Sequence, residues 1–145
     1  MKKIILNNNQ ELEVTSIYGG TQVYQNKERQ YIKIVLSAEN NSIDELNKIF
    51  SNENNTKSIK IIEEIVKEDN TITNEFIHNN YSIIIEISKN KMIIKKETDT
   101  NKAEYKDVIN ITLGQLTYTE IQQKEQTELV NATAEVLADL IGGAN

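Results

Sequence analysis

Isoleucine recurs at every second position through much of this chain, and few folds accept that pattern. In "RQYIKIVLSA", Ile32, Ile34 and Leu36 fall on one face of an extended segment, with Tyr31, Lys33 and Val35 on the other. In "EYKDVINITL", Tyr105, Ile109, Ile111 and Leu113 alternate against Lys106, Val108, Asn110 and Thr112. A period of two is the signature of a strand with one face buried. Isoleucine suits it, because two heavy atoms on Cβ stiffen χ1 and pack well on a pleated surface. The sequence has 23 isoleucines, so strands are expected to dominate the fold.

The remaining segments extend the reading. "KKIIL" is a short strand, "NNNQ" a turn, and "ELEVTSIY" the return strand of a hairpin carrying Leu12, Val14 and Ile17. "KSIKIIEEIV" carries Ile59, Ile61 and Ile65. "TITNEFI" and "YSIIIEIS" flank "HNN" as a hairpin tip, and "KMIIKKE" pairs with its predecessor through "SKNK". With no proline in the chain, turns fall to Asn, Asp and Gly. Strands joined by such short links pair antiparallel, since a parallel pair needs a crossover of about a dozen residues.

Two helices interrupt this order. Ser42-Ile43-Asp44-Glu45 is a capping box, followed by Ile43, Leu46, Ile49 and Phe50 at helical spacing, so a short helix is expected near 43–51. It plugs one end of a sheet. Thr117-Tyr118-Thr119-Glu120 is a second box, opening a long helix near 118–141 that stops at Gly142-Gly143. Its first half is polar. Its second half carries Leu129, Val136 and Leu140 on one stripe and Val130, Leu137 and Ile141 on the next. That wide apolar face either packs on the sheet or meets another subunit. The expected architecture is α+β in a single domain, 1–145: about seven or eight mainly antiparallel strands in a sandwich or half-barrel body, 1–116, then the C-terminal helix, 117–143.

Composition removes several chemistries. There is no cysteine, hence no disulfide, thiolate nucleophile or thiolate metal site, and His78 is the sole histidine. Zinc centres and histidine-based triads are therefore not expected, nor any metal or cofactor. No Walker, Rossmann, EF-hand or nucleophile-elbow pattern occurs, so no catalytic residue is assigned. A net charge of −6 argues against a nucleic-acid partner. The apolar run in "MKKIILNNNQ" is too short for an export signal, and no apolar stretch is long enough to span a membrane.

One cluster has the chemistry of a ligand site. "SIYGGTQVYQNKERQY" brings Tyr18, Gly19, Gly20, Tyr24 and Tyr31 close in sequence to Arg29, the single arginine. Glycine allows close backbone approach, tyrosine offers a stacking face, and arginine forks onto phosphate or carboxylate, a set suited to a nucleotide or a sugar. The competing structural reading makes Gly-Gly a bend in a strand and "QNKER" a hairpin tip. Lys89, Lys91, Lys95 and Lys96 could likewise hold phosphate, or guard a sheet edge. His78 could pair with Glu75 or Asp69, or be a solvated turn residue.

The stretches "IILNNNQELEVTSIYGG", "IDELNKIFSNENNTKSIKI" and "INITLGQLTYTEIQQ" resemble small proteins encoded in phages and prophages of low-GC Gram-positive bacteria, from the tail or baseplate region. An excess of Ile, Asn and Lys, with 15 lysines to one arginine, fits an AT-rich genome. The resemblance implies a non-enzymatic viral protein: a virion- or tail-associated structural or assembly protein that binds other subunits, as a homo-oligomer or with a phage or host protein. The alternative is an anti-defence protein that inhibits a host immune protein or sequesters a nucleotide signal. The expected location is the host cytoplasm, with incorporation into the virion in the structural case. In that reading Leu129, Val130, Val136, Leu137, Leu140 and Ile141 form the interface.

Overall fold

A computed structural model of the chain describes residues 1–142. They form two compact units, Met1–Gln115 and a second beginning at Leu116. The first unit holds eight strands and two helices: β1 (Lys2–Ile5), β2 (Glu11–Val14), β3 (Ser16–Tyr24), β4 (Lys27–Ser37), α1 (Ile43–Ser51), α2 (Glu53–Thr56), β5 (Ser58–Lys67), β6 (Asn70–Asn79), β7 (Ile83–Lys95) and β8 (Glu104–Gly114). The second is one helix, α3 (Tyr118–Gly142). The architecture is α+β with two four-stranded antiparallel sheets, ordered β2-β1-β5-β6 and β3-β4-β8-β7.

Alternation decides what the sheets bury. Ile4 and Val14 on the first sheet, with Ile59 and Ile61, share one core with Ile32, Ile34, Leu36, Ile109, Ile111 and Leu113 on the second. Leu46 and Phe50 of α1 are fully buried in it. The helix is placed by the cap read from sequence: Ser42 Oγ accepts the Glu45 amide at 3.2 Å. β8 sits between β4 and β7 and is buried on both faces over Val108–Gly114.

The connections differ from the sequence reading in four places, each for a local reason. "ELEVTSIY" is two strands rather than one. The chain changes sheet at Thr15, whose amide donates to the Val35 carbonyl at 2.7 Å, so β2 belongs to the first sheet and β3 to the second. "HNN" is a crossover between sheets and not a hairpin tip. β6 runs to Asn79, and Asn80 takes φ 65°, a left-handed conformation that asparagine tolerates, before β7 starts in the other sheet. "SKNK" does not turn. β7 continues through Ser88–Lys91 paired to β8, with register breaks between Ile84 and Glu86 and between Ile93 and Lys95. "SNENN" contains the extra short helix α2, whose Asn52 side chain accepts the Asn54 amide at 3.1 Å.

α3 opens as the capping box requires. Thr117 N donates to Glu120 Oε1 at 2.9 Å and Glu120 N to Thr117 Oγ1 at 3.4 Å. Described residues of α3 include none that is buried. The expected stop at Gly143 lies outside the described residues.

Candidate binding surfaces

The Gly-Gly stretch is a correction to the bend expected from sequence. β3 runs straight through it in unbroken register, Gly19 opposite Ile32 and Gly20 opposite Tyr31. None of the described glycines has positive φ. What Gly20 provides is room. A Cβ there would lie 2.8 Å from the Tyr31 hydroxyl oxygen and 2.9 Å from Cζ, so the Tyr31 ring lies across the bare backbone of its cross-strand neighbour. The turn comes later, at Gln25 (φ 54°) and Asn26 (φ 60°), a two-residue hairpin loop with positive φ at both positions whose twist matches the strands it joins.

Arg29 is not presented to a ligand. It is 2% exposed. Its Nε donates to the Tyr24 carbonyl at 3.2 Å, one terminal nitrogen to the Gln115 carbonyl at 3.2 Å, and the other to Gln25 Oε1 at 3.3 Å. Its stem crosses Gly114, where an added Cβ would come within 3.5 Å of Arg29 Cδ and 3.0 Å of Ile85 Cδ1. The guanidinium thus ties the β3–β4 turn to the residue that follows β8. Tyr24 contributes its carbonyl to that clamp and Tyr31 covers Gly20. Of the six sequence candidates, Tyr18 and Gly19 border a cavity between the sheets.

That cavity is a cleft of about 250 Å³ between the two sheets. Its deep side is Ile32 and Ile61, with Ile17 beside them, and its rim is Tyr18, Phe76 and His78. Lys2 and Glu63 also line it and pair at 3.2 Å, leaving that part of the wall without net charge. Tyr18 is half-exposed and carries Lys33 Nζ 5.8 Å from its ring centroid, within cation–π range. At about 250 Å³ the cleft falls below the ~300–1,000 Å³ usual for small-molecule sites, and it is sized for a side chain.

His78 is a strand residue and not a turn residue. It stands on β6 opposite Ile59, with its ring edge-on to Tyr81 at 5.4 Å between centroids and 84° between planes. Glu75 lies an odd number of residues away on the same strand and so on the other face, where Lys60 Nζ approaches its carboxylate at 3.9 Å. Partial burial of the imidazole lowers its pKa below the ordinary 6.5. Burial raises that of Tyr81, whose hydroxyl donates to Gln30 Oε1 at 3.3 Å. Phe76 and His78 were missed as cleft residues because their cross-sheet proximity to Tyr18 depends on the packing of strands remote in sequence.

The lysines stand as edge residues: Lys89, Lys91 and Lys95 lie on β7, the outer strand of its sheet, and Lys95 pairs with Glu104 at 3.8 Å. No three His, Asp or Glu side chains gather as a metal set among the described residues. No described helix is long and apolar enough to cross a membrane. On α3, Leu129, Val130, Val136, Leu137, Leu140 and Ile141 are all between 53% and 73% exposed. Comparison with protein-family models, with curated proteins and with solved structures finds no match.

Proposed function

We propose that this is a non-enzymatic phage protein, virion- or tail-associated, that acts by protein–protein binding, and that copies of it assemble through α3. The observation that carries the reading is a helix of 25 residues with no buried side chain and, in its second half, six large aliphatic ones exposed. The apolar part, 129–141, is about 20 Å long at 1.5 Å per residue. Helices in proteins owe most of their stability to tertiary packing rather than to propensity. This one has weak helix formers where packing is most needed: Asn131, Thr127 and Thr133, the two threonines bonding back to the carbonyls of Gln123 and Leu129 at 2.9 Å. Two adjacent apolar stripes suit a bundle of several helices better than the narrower seam of a two-stranded coiled coil. The phage assignment rests on the sequence resemblance alone.

The nucleotide-sequestering alternative has less support, because the only arginine is buried and bonded to protein acceptors. The test is mass in solution by sedimentation or light scattering, with circular dichroism as the control for folding. The full chain is expected to be an oligomer, and Leu129→Asp with Val136→Asp to lower its mass without changing the cooperative unfolding of the β-rich unit. A full chain that is monomeric at high micromolar concentration, or a double variant of unchanged mass, defeats the proposal.

A further inference from the structure

Four strands end a sheet among the described residues, and they are not equally protected. Exposed edges present unpaired N–H and C=O groups to any other strand, so folds guard them with brevity, charge, bulges or proline. β2 is four residues long and carries Glu11 and Glu13. β7 carries Lys89, Lys91 and Lys95 and two register breaks. β6 has Glu75 near its middle, which self-pairing would bring close to its own copy. β3 has none of these devices. It is nine residues long, uncharged and paired in continuous register with β4 alone.

We propose that β3 is a self-pairing edge: two copies of this chain join antiparallel along Ser16–Tyr24 about a two-fold axis at Gly20. Gly20 is the middle residue of the strand, and the glycines at 19 and 20 need no positive φ. Glycine in a strand that does not use its conformational freedom marks a place where another backbone comes close. Within the single chain the close backbone is that of β4: the Tyr31 ring lies over Gly20, and a Cβ at Gly19 would come within 3.0 Å of the Tyr31 carbonyl oxygen. What favours pairing is therefore the unguarded, uncharged edge.

With the axis at Gly20, Ile17 stands beside the partner's Val23, Gly19 beside the partner's Thr21, and Tyr18 beside the partner's Gln22. Val23 is 72% exposed in the single chain and lies on the same face of β3 as Ile17 and Gly19, which line the cleft. Pairing therefore brings a β-branched side chain from the second copy to the cleft on each side, and the second sheet of each copy becomes half of a continuous eight-stranded sheet. The inference extends the self-assembly reading above but stands on separate residues. A chain with two self-interfaces, one helical and one at a strand edge, is divalent and builds rings or filaments.

The test separates the two surfaces. All residues of the core cluster lie between Ile4 and Leu113, and Gln115 supplies an Arg29 acceptor, so the chain ended after Gln115 retains its whole core. That truncated chain is expected to sediment as a dimer. Thr21→Lys with Val23→Lys makes it a monomer of unchanged thermal stability, since both positions are exposed and Val23 faces Glu28 across the hairpin. In the naturally cysteine-free chain, Tyr18→Cys with Gln22→Cys gives a covalent dimer on oxidation. The two cysteines of one strand are about 13 Å apart, beyond the ~7 Å limit of a disulfide. A monomeric truncated chain, a dimer indifferent to the lysines, or no covalent dimer overturns the proposal. If the Leu129 and Val136 variant keeps its mass while the truncated chain dimerises, the α3 reading fails and the β3 interface stands.

Discussion

Replacing Arg29 by methionine separates a ligand-binding arginine from a structural clamp. Methionine keeps an unbranched stem over Gly114 and removes only the guanidinium, so the change isolates the hydrogen bonds to Tyr24, Gln25 and Gln115. A hydrogen bond from a charged donor contributes about 1.5–3 kcal/mol, which puts the gross loss for three at roughly 5–9 kcal/mol. Relief of the guanidinium's desolvation returns several kcal/mol, leaving a net destabilisation of about 2–4 kcal/mol. For a unit of this size the unfolding entropy is about 0.24 kcal/mol/K, so the melting temperature falls by roughly 8–16 °C. Urea unfolding followed by circular dichroism measures the same quantity through the midpoint at constant slope. Arg29→Lys serves as the comparator. Lysine preserves the charge but not the fork that reaches three acceptors, and is expected to lose at least as much stability. A methionine variant within about 0.5 kcal/mol of the parent, the range of an ordinary surface substitution, refutes the clamp.

Two further outcomes follow from the cleft and its neighbouring strand pair. His78 has its folded-state pKa lowered by burial, so protonation favours the unfolded chain; its contribution is neutral above the unfolded value of 6.5, and stability falls as pH drops through 6.5 toward the lower folded value. As the sole histidine it gives a single Hε1 resonance, whose NMR midpoint is expected below 6.5, and a midpoint at or above that value contradicts the burial argument. Gly20→Ala pushes a methyl into the Tyr31 ring and costs about 1–3 kcal/mol. Adding Tyr31→Ala removes the clash, so the double-mutant cycle reports a coupling between the two positions, and purely additive losses rule out the ring-over-glycine packing.

Periodicity alone marked out the strands, because period-two alternation of β-branched residues has one structural solution, and local hydrogen bonding at Ser42 and Thr117 marked the helix starts. These are near-neighbour properties of sequence, and α1 begins and ends where the spacing of Leu46 and Phe50 places it. Sheet membership was not legible. The switch at Thr15 depends on a hydrogen bond to Val35, and the straight course of β7 through "SKNK" depends on pairing with β8. The same holds for the candidate site. Tyr18, Gly19, Tyr24, Arg29 and Tyr31 are close in sequence, and side-chain types made them look like one pocket. Strand alternation and the β3–β4 turn instead send Arg29 into a backbone clamp, lay Tyr31 over Gly20, and leave Tyr18 beside Lys33 at the border of a cleft that Phe76 and His78 line from a strand some sixty residues away. The sequence by itself determined an uncharged stretch around Gly19-Gly20, which it left as a bend, and a helix with an apolar half, since composition and spacing are written along the chain. That the stretch is one unbroken strand came from its pairing with β4. Which strand is left at an edge was decided by tertiary pairing, because a backbone edge is free only when the fold has used its other side.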